Sequence, residues 1–163
     1  MDGRLFVAAR TGNVGDLYWL LKEDPLQLHA VALVSGATLH IASMTGHLDF
    51  VKEMTRLMPG FARELNQDGF SPMHLAAANG YLEIVRELLK IDCNLCRLKG
   101  RERRTPLHFA VVKGRVEIIK ELLSSCPESV ENVTIGGETL LHLAVMNYHF
   151  EAFETMFEKQ RDC

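Results

Sequence analysis

No run in this 163-residue chain approaches the ~18 consecutive apolar residues that a bilayer-spanning helix needs. The opening stretch, MDGRLFVAAR, has no long apolar core of the kind a secretory leader requires. An intracellular, cytoplasmic setting is therefore expected, with membrane attachment coming only from chain outside these residues. Cysteine is sparse and irregular, at Cys93, Cys96, Cys126 and Cys163, which argues against a disulfide framework. The sequon Asn132-Val133-Thr134 then reads as incidental. Excess charge is lacking as well: 18 Lys and Arg against 21 Asp and Glu leave a net −3, giving no general pull toward nucleic acid. Catalytic signatures are missing too. There is no glycine-rich phosphate loop, no G-x-S-x-G elbow and no H-E-x-x-H, and Gly136-Gly137 reads as a hairpin tip. The chain is expected to be no enzyme and to use no cofactor.

What the sequence does have is self-similarity. His40, His74, His108 and His142 follow one another at steps of 34 residues. Ala42, Ala76, Ala110 and Ala144 keep the same step, as do Gly12, Gly46, Gly80 and Gly114. Three residue types in one register mark an array of repeats. A hydrophobic content of 47% is ample for such an array to bury.

The unit from Asn66 to Leu89 is the cleanest. Asp68-Gly69 supplies a tight turn, because glycine reaches positive φ without a steric penalty. Ser71 suits a helix N-cap, and Pro72 suits the first helical position, where its missing N–H is not needed. A short helix follows, Gly80 ends it, and Leu82, Val85, Leu88 and Leu89 give the apolar face of a second helix. The chain reads as one domain over 1–163, with units at approximately 1–31 (partial), 32–65, 66–99, 100–133 and 134–163. In the first unit Phe6 holds the histidine slot, and the upstream half is missing. In the second, Thr38 holds the proline slot, and Gly36 implies a hairpin one residue shorter. In the fourth, Arg103 stands where Gly69 stood, and in the fifth Tyr148 replaces the helix-ending glycine. The last helix carries Phe150, Phe153, Met156 and Phe157, an unfinished end for a stacked array, so chain beyond Cys163 or self-association through this helix is expected.

Thr105-Pro106-Leu107-His108-x-Ala110, a glycine after it and an I-I-x-x-L-L helix resemble the ankyrin repeat, and four units carry the pattern. The resemblance implies an all-α ankyrin-repeat solenoid of about five units, built of helix-turn-helix elements joined by β-hairpin-like loops. The wording MDGRLFVAARTGNVGDL and LHIASMTGHLDFVKE is similar to plant ankyrin proteins of the bian-da and accelerated-cell-death type. That likeness implies an N-terminal ankyrin array ahead of a membrane-spanning region, and a role in defence signalling.

Four histidines at a fixed step invite a metal reading. By ankyrin analogy each imidazole is buried at a helix start, and neighbouring repeats sit on the order of 10 Å apart, too far to share one zinc. Cys93-x-x-Cys96 has zinc-type spacing but no second ligand pair, so ordinary thiols and no metal are expected.

The feature in excess of scaffold is the basic run Arg97, Lys99, Arg101, Arg103, Arg104, Lys113 and Arg115. In an ankyrin array the hairpin tips and exposed ends of the first helices line a concave face, free of the packing that fixes the rest. The partner-binding candidates on that face are Leu33, Val34 and Met44 in the second unit, and Gln67, Asp68, Phe70 and Asn79 in the third. Arg101, Glu102, Arg104 and Lys113 follow in the fourth, with Ile135, Glu138, Met146 and Asn147 in the fifth. Apolar ends around a basic centre suit a protein or peptide with an acidic segment. Asp68, Glu102 and Glu138 interrupt the basic surface that nucleic acid would want, though a nucleic-acid-binding array through 97–115 is the alternative.

Overall fold

The computed structural model describes residues 3–23 and 37–162. The expected short hairpin of the second unit, with Leu33 and Val34, lies outside them. The described residues form helices in antiparallel pairs: α1 (Arg4–Thr11) with α2 (Val14–Glu23), α3 (residues 37–45) with α4 (Leu48–Leu57), and α5 (Pro72–Asn79) with α6 (Leu82–Ile91). The pairs α7 (Pro106–Val112) with α8 (Val116–Ser125) and α9 (Leu140–Met146) with α10 (Phe150–Arg161) complete the stack. Among the described residues there is no strand, and no helix is long and apolar enough to cross a membrane.

Helices α5, α7 and α9 start where a polar residue satisfies free amides, whereas α1 starts after Gly3 without a side-chain cap. Ser71 is extended (φ −86°, ψ 165°) and accepts from the His74 N–H, while the Ser71 N–H donates to Nδ1 of His74 at 3.1 Å. Thr105 with His108 and Thr139 with His142 repeat this reciprocal cap. Gly80 closes α5 in the left-handed region at φ 83°, its N–H donating to the Ala76 carbonyl.

The second helices bury one stripe each. In α6 it is Ile84, Val85 and Leu88, with Leu82 and Leu89 packed at its edge. Alanines at 42, 76, 110 and 144 are buried between first helices, where only a methyl group fits. A fully buried leucine such as Leu122 contributes roughly 1.5–3 kcal/mol by area removed from water. After the second helix a 3-10 turn leads into the next unit, at Pro59–Arg63, Cys93–Arg97 and Pro127–Glu131. The hairpins then stack through the backbone: Arg101 N–H donates to the Gly69 carbonyl at 2.9 Å, and Ile135 N–H to the Glu102 carbonyl at 3.0 Å.

The fourth hairpin differs from the third as its sequence requires. Glu102 and Arg103 both take φ 59°, the left-handed conformation that costs a side-chain-bearing residue roughly 1 kcal/mol or more. Gly100 makes that turn possible. A Cβ there would lie 2.4 Å from the Gly69 carbonyl oxygen, so only glycine lets the two hairpins approach.

Candidate partner-binding face

The histidines build the wall of this face. The cap donates to Nδ1 of His74, which leaves Nε2 with the proton, and Nε2 donates to the Arg104 carbonyl of the next hairpin at 2.9 Å. His40 makes the equivalent bond to the Phe70 carbonyl at 2.8 Å. His108 has the same cap, but its Nε2 meets the next hairpin without a well-aligned bond. Burial holds His74 and His108 down to about 4, so both are neutral at pH 7. His142 carries its cap yet stands exposed. No cluster of three or more His, Cys, Asp or Glu suited to a metal occurs among the described residues.

A second ladder ties the far ends of the first helices. His47 lies over Gly12 and its Nε2 donates to the Arg10 carbonyl at 2.7 Å. Arg115 lies over Gly80 and bonds the Ala78 carbonyl at 3.2 Å, and His149 lies over Gly114 and bonds the Val112 carbonyl at 3.0 Å. Arg115 is therefore an inter-unit staple. Arg97 is another: its Nε lies 3.2 Å from Cys126 Sγ, and its guanidinium pairs with Glu128. One unit earlier Arg63 pairs with Asp92 in the same register, so Cys126 occupies a carboxylate slot. The basic run read from the sequence thus divides, with Arg97 and Arg115 spent on packing.

What remains is a group of four. Lys99, Arg101, Arg103 and Lys113 are exposed and make no ion pair among the described residues. The second helices are the contrast. Arg56 pairs with Glu53, Arg86 with Glu83 at 2.8 Å and Glu121 at 3.0 Å, Lys90 with Glu87 at 3.3 Å, and Lys120 with Glu117 at 3.1 Å. Arg104 is half-buried, its Nε 3.3 Å from Glu102.

The remaining candidates fall into distinct places. Gln67, Asp68 and Arg101 come together in a shallow groove between two hairpin tips, with Leu65, Gly69 and Gly100. Phe70 is half-buried, its ring edge-on to Phe109 at 5.2 Å, and Phe109 in turn is edge-on to His74 at 5.5 Å. Asn79 and Asn147 each donate to a carbonyl of their own helix, Leu75 and Leu143, at 2.8 Å, and so brace helix ends. Glu138 accepts from the Thr134 hydroxyl inside its hairpin at 3.0 Å. Met44 and Ile135 are exposed. Met146 is exposed too, but it sits with Leu141, Val145 and Phe153 on the terminal face of the stack. Leu65, Phe109 and Val145 were not among the sequence candidates. Leu65 and Val133 share a register two steps of 34 apart and both are exposed, a signal that the sequence held.

Cys93 is exposed, whereas Cys96 is buried and donates from Sγ to the Cys93 carbonyl. Burial, with Cys126 beside it, pushes the Cys96 thiol up to about 12, far from a reactive thiolate at neutral pH.

The family model of ankyrin repeats (3 copies) matches residues 5–98 and 91–163. The chain belongs to the ankyrin-repeat family. Ankyrin arrays are protein–protein interaction modules, and the stacked caps and glycine staples described above are how this ankyrin chain holds its tips in place. The chain is also similar to the ankyrin repeat-containing protein BDA1 of Arabidopsis thaliana, at 40% identity over 73 residues. That stretch is 44% of this chain and 17% of the relative, so the similarity spans only a small part of the longer protein.

Proposed function

We propose that this ankyrin array recognises an acidic segment of a partner protein through its hairpin tips and first helices, without catalysis. The observation that carries this reading is the set of unpaired cations Lys99, Arg101, Arg103 and Lys113, on a molecule whose second-helix cations are so often paired. Arg101 and Lys113 supply the charge, Arg104 holds the tip beside them, and Met44 with the Phe70–Phe109 edge supplies apolar contact. The stacked backbone orders the tips before the partner arrives, so little further ordering is needed on binding. The partner-facing set is Leu33, Val34, Met44, Gln67, Asp68, Phe70, Asn79, Arg101, Glu102, Arg104, Lys113, Ile135, Glu138, Met146 and Asn147, on one domain over 1–163. The resemblance to plant ankyrin proteins of the bian-da and accelerated-cell-death type supports placing this recognition in plant defence or stress signalling; the alternative reading makes the array the cytosolic sensor of a longer, membrane-anchored regulator.

The test is binding of a fluorescein-labelled glutamate-rich peptide to the native chain and to Arg101→Glu with Lys113→Glu. Charge reversal is expected to weaken binding by about tenfold or more, with the helical circular dichroism unchanged. Equal affinity for both proteins would sink the assignment. Preference for single-stranded DNA over the peptide, lost steeply with salt, would transfer the site to nucleic acid.

A further inference from the structure

Helix α10 carries Phe150, Phe153 and Phe157 on one stripe, at i, i+3 and i+7. One unit earlier the same register holds Val116, Ile119 and Leu123. There the α9–α10 unit lies over the stripe, leaving Ile119 0% and Leu123 1% exposed. Phe157 is 45% exposed and Phe150 69%. Leu141, Val145 and Met146 of α9 border the stripe in a shallow apolar groove shared with Phe153. The stripe keeps residues of the buried type, and enlarges them to phenylalanine.

Tyr148 bears on what covers them. At Gly12, Gly46, Gly80 and Gly114 the backbone is left-handed, and the next unit's His47, Tyr81, Arg115 or His149 rests on the bare Cα. A Cβ would stand 2.5, 2.6, 3.1 and 2.6 Å from those side chains. At the fifth such position the left-handed turn persists at φ 60°, but the residue is Tyr148, 81% exposed. A further unit of the kind that makes the four junctions would drive its own side chain into that Cβ.

Charge on the same stripe favours a particular cover. Glu154 and Arg161 flank the phenylalanines on one side of α10, two turns apart, and neither has an ion-pair partner among the described residues. Laid antiparallel against a second α10, each Glu154 faces the other helix's Arg161; laid parallel, like faces like. Only the antiparallel arrangement satisfies both ends at once; its two-fold axis falls near Phe157, so the contact is isologous and the two Phe157 rings meet. The cap donates to Nδ1 of His142, so its exposed Nε2 is a donor at the edge of this face, matching the one His74 gives to a neighbouring carbonyl.

We infer that the α9–α10 face pairs with the same face of a second copy of this chain, the two α10 helices antiparallel across a two-fold axis. This surface shares Met146 with the proposed partner-facing set but none of its cations, so failure here and failure of the cationic tips are distinguishable by separate variants. The test is the solution mass of the 163-residue chain by sedimentation equilibrium over a dilution series. Mass is expected to rise with concentration toward twice 18.4 kDa. Phe157→Glu, at the exposed ring nearest the two-fold axis, is expected to return the monomer with helical content unchanged. Glu154→Arg and Arg161→Glu are each expected to weaken the dimer by about tenfold, and the double swap to restore it. A monomer at every concentration overturns the proposal and leaves the face to another partner. Growth beyond the dimer overturns it in favour of head-to-tail stacking of this face on the α1–α2 unit of the next copy. A dimer indifferent to Phe157→Glu, or a double swap without rescue, overturns the α10 geometry.

Discussion

His74 and His108 bind protons poorly in the folded chain because each imidazole sits in a packed helix start, where an added charge would be desolvated. Their folded values near 4 lie below the ordinary value of 6.5, so between those limits the unfolded chain binds more protons than the folded one. Stability contributed by the two rings is therefore full above pH ~6.5 and is lost as pH falls toward ~4. The size is on the order of 3 kcal/mol per ring. Urea midpoints at pH 7, 5.5 and 4.5 should fall in that order, and a flat profile would contradict the buried, neutral assignment. That these histidines are structural was expected from their step taken together with ankyrin analogy. The fate of the arginines was not: Arg97 and Arg115 look like neighbours of Arg101 in the sequence, and only the stack shows them turned to Cys126, Glu128 and the Ala78 carbonyl.

At the scale of the element, the glycines that end the first helices serve two purposes that can be separated. Gly114 is left-handed at φ 67° and also lies under the His149 ring, where a Cβ would be 2.6 Å from Nδ1. Gly137 is left-handed at φ 78° with nothing within 4 Å of a Cβ. Gly137→Ala should cost about 1 kcal/mol for the backbone alone. Gly114→Ala should cost about 2 kcal/mol or more, because the ring must also leave its bond to the Val112 carbonyl. Comparison of the two urea midpoints checks this, and equal costs would show that the ring moves freely. Helix existence, the Ser71 cap and the helix-ending glycines were readable in advance, since each obeys local chemistry. The paired left-handed residues Glu102 and Arg103 were not, because they follow from the approach of the hairpins at Gly100 and Gly69.

For the whole molecule, stability is nearly a sum over units and the contacts between neighbours. Units with a neighbour on both sides should open least often. Amide exchange is therefore expected to be slowest in α5 to α8, where Leu88, Leu107, Ile119 and Leu122 are fully buried, and faster in α1, α2 and α10. Slow exchange in α10 that appears only at high protein concentration would mark the two-fold contact proposed for it. Protection uniform from α1 to α10 would contradict nearest-neighbour stacking.

The sequence by itself determined the architecture. A 34-residue step in histidine, alanine and glycine fixes helix starts, close helix contacts and helix ends, because each of those depends on residues within a few positions of one another. The proposal that a partner is met at the tips rests on resemblance to ankyrin arrays. Tertiary structure decided which tip residues are free: Arg101 and Lys113 are, while Arg104, Asn79, Asn147 and Glu138 are held by bonds within the array. It likewise turned Tyr148 from a departure in a pattern into a steric obstacle. Both outcomes depend on what the neighbouring unit places opposite a side chain, about 30 residues away, and no local pattern carries that.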